Sequence, residues 1–160
     1  MRYASVCSGI EAVSVAVEPL GWQAAFFSEI EAFPSAVLAH RFPNVVNLGD
    51  FTLIGEEHGP VDVLAGGFPC QAFSVAGNRG GLDDARGNLA LQFAELAYRI
   101  RARWVLGENV PGILSHDRGK TFRAVLSCLA GAFVPIPPGG WGNSGIVESP
   151  PHGFGVAWTV

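Results

Sequence analysis

The stretch VDVLAGGFPCQAFSVAG, from Val61 to Gly77, joins an apolar run to a Pro-Cys-Gln triplet that is flanked by glycines. The run Val61–Ala65 predicts a buried strand. Pro69 restricts the backbone just before Cys70, and the glycines allow a ligand to approach the chain closely. Ligands of open α/β sheets bind beyond the carboxyl ends of the strands. Cys70 is therefore a candidate nucleophile rather than a structural thiol.

Apolar runs alternate with helical patterns along the rest of the chain, which indicates βαβ units and a mainly parallel sheet. Strands are predicted over residues 3–7, 23–27, 45–47, 61–65 and 104–107, and helices over 11–20, 34–41, 89–101 and 121–129. Pro34 is expected at the first position of its helix. Residues 135–153 predict a surface loop, and 154–160 begin a further strand that has no partner yet. The fold class is doubly wound α/β.

A second acidic motif, Gly107-Glu108-Asn109-Val110-Pro111-Gly112, ends the apolar run that starts at Trp104. The place of Glu108 between a strand and a turn favours a functional carboxylate over a surface acid. Three short segments with polar or acidic residues follow earlier apolar runs: Ser8-Gly9-Ile10, Ser28-Glu29-Ile30-Glu31 and Gly49-Asp50-Phe51.

These segments together resemble the DNA cytosine methyltransferases that modify carbon 5 of the base, and the phage and prophage members most closely. Pro69-Cys70-Gln71 resembles the nucleophile motif, and Glu108-Asn109-Val110 resembles the glutamate motif. The three earlier segments resemble, in the family's order, the cofactor loop, the ribose-binding segment and the adenine-binding segment. The resemblance runs from about Tyr3 to the last residue. It implies a Rossmann-like methyltransferase fold that depends on S-adenosylmethionine.

The resemblance implies methyl transfer from S-adenosylmethionine to carbon 5 of a cytosine that is flipped out of double-stranded DNA. Cys70 would add to carbon 6 and make carbon 5 nucleophilic. Glu108 would donate a proton to ring N3, and a closed, apolar site would keep its carboxyl protonated.

A cofactor pocket is also implied. Glu29 would accept hydrogen bonds from the ribose hydroxyls, with Glu31 as the alternative, and Asp50 would accept one from the adenine amino group. Other cofactor contacts are expected from Ser8, Gly9, Ile10, Ile30, Phe51, Pro69 and Leu89. Family members commonly carry glycines where this chain has Glu11 and Ala12. We expect Glu11 to cap the following helix rather than to bind the methionine amine.

Contacts with DNA are expected from Gln71, Ser74, Arg79 and Asn109. The glycines and polar residues of the loop Ala72–Gly87 predict a lid that closes over the base. The arginines at 99, 101 and 103 predict the solvated end of a helix. Cys7 and Cys128 are expected in the core. The four histidines and three cysteines show no metal-ligand spacing, so no metal is predicted.

Composition limits the remaining possibilities. The 160 residues are 49% hydrophobic and 15% charged, which indicates a folded, globular chain rather than a disordered one. We expect no membrane span, no signal peptide and a cytoplasmic monomer in a bacterial or phage-infected cell. A net charge of −4 argues against a free-standing nucleic-acid binder unless the main DNA-binding parts lie elsewhere.

The organisation expected from the motifs is the N-terminal part of a catalytic domain over residues 1–160. It comprises a cofactor half at 1–60, the nucleophile loop and glutamate motif at 61–118, and a loop with the start of a further strand at 130–160. The end in an apolar run predicts truncation, and we expect no target recognition domain within these residues. Two functions therefore stay open: part of an active methyltransferase of the restriction-modification type, or a non-catalytic fragment that at most binds cofactor.

Overall fold

The computed structural model describes residues 1–68, 89–143, 145–147 and 155–158. The chain forms two compact units. The first consists of Met1–Phe68 and Leu96–Glu108, and the second takes in the described residues of 89–95 and 109–158.

The first unit is built on a four-stranded, fully parallel sheet with the strand order β2-β1-β3-β4. The strands are β1 Arg2–Val6, β2 Gln23–Ser28, β3 Val63–Gly67 and β4 Trp104–Glu108. The register aligns Val6 with Ser28 on one side and with Gly66 on the other, and Gly67 with Glu108. The carboxyl ends of the four strands therefore lie along one edge, as the alternating sequence pattern predicts.

Helices and turns connect these strands. They are α1 Ala12–Val17, which continues as a 3₁₀ turn at Glu18–Leu20, α2 Ala32–Arg41, 3₁₀ turns at Phe51–Leu53 and Glu56–His58, and α3 Leu89–Arg99. One core cluster joins Tyr3 of β1, Phe27 of β2, Leu38 of α2 and Val63 of β3. The apolar face of α2 is thus buried against the sheet.

The second unit contains 3₁₀ turns at Pro111–Leu114 and His116–Gly119, helix α4 Lys120–Ala130, and an antiparallel pair of β5 Gly145–Val147 and β6 Val156–Trp158. Its core cluster consists of Leu126, Ala130, Val134 and Trp141. Trp141 makes edge-on contacts with Phe122 and Trp158, each with ring centroids 5.1 Å apart.

The predicted α/β class and parallel sheet are confirmed, and three local predictions are wrong. Residues 45–47 form no strand, because Asn47 makes only an isolated bridge to Phe27. Helix α3 ends at Arg99, and Arg101 has a left-handed φ of 50° that turns the chain toward β4. Helix α2 begins at Ala32, so Pro34 is its third residue. The first bond inside α2 runs from Ser35 N–H to Glu31 O, so the missing N–H of Pro34 costs nothing.

Residues 135–153 are not the simple surface loop that their composition predicts. Trp141 is only 2% exposed, and its indole N–H donates to the carbonyl of Gly119 at 2.9 Å. The segment also contains β5, which pairs with β6, so the apolar run at the end of the chain has a partner strand. Proline and glycine content predicts irregular backbone, but it does not show that an indole within that backbone reaches a buried acceptor.

None of the described helices has the length and apolar character required to cross a membrane.

Candidate functional site

The segment after β1 is a tight turn with open space above it. Ser8 O accepts the N–H of Glu11 at 2.9 Å, which closes the turn around Gly9 and Ile10. Gly9 has a left-handed φ of 54°, and a Cβ at this position would meet no atom within 4 Å. The Ser8 hydroxyl donates to Ser5 O at 2.9 Å, which fastens the turn to β1. The turn therefore presents an accessible backbone surface to a ligand.

Glu29, directly after β2, is the carboxylate that links the two strand ends. Its side chain is buried, Oε2 accepts the N–H of Gly9 at 2.8 Å, and Oε1 accepts the N–H of Glu31 at 2.8 Å. Each oxygen retains a second lone pair for a further donor. Glu31 is exposed, so of the two predicted ribose ligands only Glu29 is held in a fixed position.

Asn47 was missed by the sequence analysis, although it ties two of the predicted cofactor segments together. Its Oδ1 accepts the N–H groups of Glu29 at 2.9 Å and of Gly49 at 3.1 Å. Its Nδ2 donates to Glu29 O at 3.0 Å and to the Ser35 hydroxyl at 3.1 Å. A single asparagine between two apolar runs carries no local signal for such a role, because its main partner lies 18 residues away.

Asp50 begins the 3₁₀ turn Phe51–Leu53. Asp50 is exposed, and its Oδ1 accepts the N–H and the hydroxyl of Thr52 at 2.9 and 2.8 Å. Phe51 is only 5% exposed and belongs to the core, so most of its side chain is already covered by the protein, and its contact with the cofactor stays a prediction. Leu53, at 81% exposed, and Ile30, at 72% exposed, are the apolar side chains that reach the surface from these segments.

Glu11 caps α1, as predicted, but only one of its oxygens is used. Oε1 accepts the N–H of Ser14 at 3.0 Å and its hydroxyl at 3.1 Å, whereas Oε2 is buried without a hydrogen-bond partner. Burial raises the pKa of the Glu11 carboxyl. The nearby hydroxyls of Ser5, Ser14 and Ser8 favour the charged carboxylate and so make this increase in pKa smaller. The hydroxyls of Ser5 and Ser8 do not form a hydrogen bond with Oε2. Glu11 also has a left-handed φ of 69°, which favours glycine.

The two cysteines among the described residues are half-buried rather than core residues. Burial raises the pKa of Cys7 to about 11, and the negative charges of Glu29 and Asp50 add to the shift. Burial also raises the pKa of Cys128, with a contribution from Glu95. Both thiols are therefore protonated near neutral pH and are poor nucleophiles.

Glu108 is the last residue of β4 and pairs in register with Gly67 of β3. A Cβ on Gly67 would lie 3.0 Å from Glu108 Oε2, so glycine at this position leaves room for the carboxylate. Glu108 is exposed, and the described residues do not form the closed, apolar surroundings expected around it. The loop expected to close over the base lies outside the described residues, so closed, apolar surroundings for Glu108 stay a prediction.

The remaining predicted residues lie elsewhere. Pro69, Cys70, Gln71, Ser74 and Arg79, with the loop at 72–87, are outside the described residues. Two others belong to the second unit: Leu89 is half-buried at the start of α3, and Asn109 Oδ1 accepts the N–H of Val110 at 2.9 Å.

The prediction of a solvated helix end is wrong for Arg99. Arg99 is half-buried, and its guanidinium donates to the carbonyls of Thr52 and Ile54. Arg101 and Arg103 are exposed, as predicted. Within the described ranges, no three His, Cys, Asp or Glu side chains gather closely enough to hold a metal ion.

Comparison with known proteins gives a family match. The sequence model of the family described as C-5 cytosine-specific DNA methylase matches residues 1–132. The "DNA N-6-adenine-methyltransferase" of Escherichia phage P1 is 52% identical over 158 residues, which cover 89% of this chain and 21% of that protein. The type II methyltransferase M.HpaII of Haemophilus parainfluenzae is 37% identical over 139 residues, which cover 81% of this chain and 38% of that protein. The chain thus spans well under half the length of these relatives.

The fold also matches a solved structure. A mutant of DNMT2 from Spodoptera frugiperda superposes with a TM-score of 0.60 at 21% identity, covering 80% of this chain and 41% of that chain. At this identity the match supports the fold alone.

The methyl donor of the matched family is S-adenosyl-L-methionine. The residues at the ends of β1 and β2 fit this group. Open space lies above Gly9 and Gly49, where a Cβ would meet no atom within 4 Å. Glu29 keeps acceptor capacity for a diol, and the buried Oε2 of Glu11 is an unused acceptor beside the turn.

Proposed function

Because the chain belongs to the C-5 cytosine-specific DNA methylase family, we propose that the protein carrying it transfers a methyl group to carbon 5 of cytosine in double-stranded DNA. One observation in the structure supports this most directly. The parallel register of β3 and β4 sets Glu108 beside Gly67, on the strand that leads into Pro69-Cys70-Gln71. The glutamate motif and the strand that precedes the nucleophile motif in the sequence therefore end at the same edge of the sheet.

S-adenosylmethionine, when bound, supplies an electrophilic methyl group. We assign Glu29 to the ribose hydroxyls, because it is buried and fixed by two backbone N–H donors. We assign Asp50 to the adenine amino group, because its carboxylate is exposed at the neighbouring turn. Ser8, Gly9 and Ile10 would face the methionine end, and Ile30 and Leu53 would supply apolar contacts.

The chemistry assigned to the protein requires a thiolate and an acid. The Cys70 thiolate would add to carbon 6 of the flipped base, and the electron pair displaced from the 5,6 double bond would make carbon 5 nucleophilic. Glu108 would donate a proton at N3 as this occurs. After methylation and departure of S-adenosylhomocysteine, loss of the proton on carbon 5 and expulsion of the thiolate would restore the double bond. Return of the N3 proton to Glu108 would then leave neutral 5-methylcytosine and the enzyme in its starting state. Gln71, Ser74, Arg79 and Asn109 remain predicted DNA contacts.

The name of the phage P1 relative raises a second candidate, methylation of the adenine amino group. Two observations favour cytosine. The matched region is 21% of that relative, so most of that protein lies outside the similarity. Transfer to an amino nitrogen requires no thiol nucleophile, and it would leave the Pro69-Cys70-Gln71 motif without a purpose.

Trapping on 5-fluorocytosine tests the mechanism. The complete gene product would be incubated with S-adenosylmethionine and duplex DNA that contains 5-fluorocytosine. Fluorine cannot leave carbon 5 as a proton does, so a covalent protein–DNA adduct should accumulate. Cys70→Ala should abolish the adduct, whereas Cys7→Ala and Cys128→Ala should retain it because those thiols are protonated and half-buried.

Three results are informative. An adduct that persists in Cys70→Ala would refute the assigned nucleophile. Nucleoside analysis of ordinary duplex DNA after reaction should show 5-methylcytosine, and N6-methyladenine alone would refute the proposed base. Binding of S-adenosylmethionine without any transfer by the complete gene product would instead support a non-catalytic, cofactor-binding chain.

A further inference from the structure

Arg99, at the end of α3, makes contacts that the proposed chemistry does not use. One nitrogen of its guanidinium, Nη1, donates to Ile54 O at 2.7 Å and to Thr52 O at 3.2 Å. These partners lie 45 and 47 residues away in the sequence, in the turn that follows Asp50. Arg99 therefore connects the end of a helix to the segment assigned to adenine.

Two backbone-to-backbone hydrogen bonds hold the Asp50–Ile54 turn internally. Leu53 N–H donates to Asp50 O at 3.2 Å and Ile54 N–H donates to Phe51 O at 3.3 Å, both at the long end of the normal range. A 3₁₀ turn this short leaves its last carbonyls without intrahelical donors. Arg99 satisfies two of them with a charged donor, which makes stronger hydrogen bonds than a neutral one.

The two ends of the turn are anchored differently. Phe51 and Ile54 are 5% and 3% exposed and fix the turn to the core, whereas Asp50 is exposed. The position of the Asp50 carboxylate is set by its bonds to Thr52, and the carbonyl of that residue is one of the two that Arg99 holds. Movement of Thr52 would move the carboxylate with it.

We propose that Arg99 is a positioning residue that holds the Asp50–Ile54 turn where the Asp50 carboxylate can receive the amino group of adenine. The inference rests on the proposed role of Asp50. It assigns to Arg99 no contact with the cofactor, only control of where Asp50 lies. Because Glu29 is held instead by Gly9, Glu31 and Asn47, recognition of the ribose should not depend on Arg99.

The test compares ligands that differ at one part of the molecule. Affinities would be measured by calorimetry for S-adenosylhomocysteine, for its inosine analogue, in which a carbonyl oxygen replaces the amino group and N1 carries a proton, and for its 2′-deoxy analogue, which lacks one ribose hydroxyl. The proteins would be wild type, Arg99→Met, Arg99→Lys, and Arg103→Met as a matched control. Arg103 is an exposed arginine of the same unit whose guanidinium pairs with Asp62 at 3.5 Å.

Wild type and Arg103→Met should bind the adenine ligand about 10–100-fold more tightly than the inosine ligand, the range for a hydrogen bond to a charged group. In Arg99→Met the ratio of the adenine affinity to the inosine affinity should fall to about threefold or less. The ratio of the affinity for S-adenosylhomocysteine to that for its 2′-deoxy analogue should stay at the wild-type value. Arg99→Lys keeps the charge on a shorter side chain that reaches the two carbonyls less well, so its adenine-to-inosine ratio should be intermediate. A merely structural role would lower all affinities together and leave both ratios unchanged.

Two outcomes overturn the inference, and they differ. An unchanged adenine-to-inosine ratio in folded Arg99→Met means that Arg99 does not position Asp50. A wild-type protein that does not distinguish adenine from inosine refutes the role of Asp50 itself and, with it, the role of Arg99. If Arg99→Met does not fold, the same adenine-to-inosine ratio is measured in Arg99→Lys, and a ratio equal to that of wild type overturns the inference.

Discussion

The carboxyl ends of β1 and β2 differ in construction from those of β3 and β4. At the first pair, which we name the cofactor edge, the N–H of Ser28 donates to the Ser8 hydroxyl at 3.2 Å and the N–H of Gly9 donates to Glu29 Oε2 at 2.8 Å, so side-chain hydrogen bonds join the two strand ends. At the second pair, the glutamate edge, Gly67 and Glu108 align in register and the carboxylate is exposed. The same sheet therefore offers one preorganised binding surface and one open surface.

This difference matches what each edge is proposed to do. A ligand that stays in place through a reaction gains affinity when its partners are fixed in advance, because less entropy is lost on binding. A base that must enter from duplex DNA requires room, and its acid can become correctly surrounded only when the base is present. The predictions below test this division, beginning with the largest expected effect.

The glutamate edge should control the rate. Glu108→Gln keeps the shape of the side chain and removes the transferable proton, so methyl transfer should slow by about 10²–10⁴-fold. Single-turnover rates on duplex DNA would measure this, with Glu57→Gln as the control because Glu57 is an exposed glutamate of the same unit. Affinity for S-adenosylmethionine should be unchanged. A wild-type rate of methyl transfer in Glu108→Gln would show that Glu108 does not act as the acid, and the glutamate edge would then have no assigned catalytic role.

The cofactor edge should control affinity. Glu29→Ala removes the acceptor assigned to the ribose, which should weaken S-adenosylmethionine by about 1.5–3 kcal/mol. Glu31→Ala is the matched control, since Glu31 is exposed and contributes only its backbone N–H to Glu29. Calorimetry on both variants decides the matter. Equal losses, or a loss confined to Glu31→Ala, would transfer the role to Glu31.

The rigidity of the cofactor edge should depend on Asn47. Asn47→Asp keeps an acceptor for the N–H groups of Glu29 and Gly49, but it replaces the donor to Glu29 O with a negative charge. Leaving these groups unsatisfied should reduce the free energy of unfolding by about 1–3 kcal/mol. Urea denaturation would measure the change, with Asn44→Asp, an exposed position of the same loop, as the control. A stable Asn47→Asp variant would show that the edge does not depend on this residue.

Glu11 should give the smallest effect, visible as a pH dependence. Its pKa is raised by burial, so the folded state holds the proton more tightly than the unfolded state does. Its stabilising contribution is therefore complete below the unfolded pKa and is lost as the pH rises through the folded pKa. Glu11→Gln keeps an oxygen for Ser14 and does not titrate, so its stability relative to wild type should increase from pH 5 to pH 8. A difference that does not change with pH would mean that Glu11 titrates normally.

Local sequence signals predicted the elements better than their ends. The apolar runs identified β1, β2, β3 and β4, and their alternation with helices gave the parallel sheet. The run at 45–47 was too short to distinguish a strand from a single bridge, which is what Asn47 makes. The glycine- and proline-rich segment around Trp141 was assigned to the surface, because composition describes the backbone and not the packing of one indole.

The sequence by itself determined the family, the α/β class and the order in which the cofactor and catalytic motifs occur, since these depend on residue types at short spacings. Only the tertiary structure decided that Glu29 rather than Glu31 is fixed, that Phe51 is buried, and that Asn47 and Arg99 hold the cofactor segments. The physical reason is distance along the chain. These hydrogen bonds join residues 18 to 47 positions apart, and their donors and acceptors meet only after the strands have aligned in register.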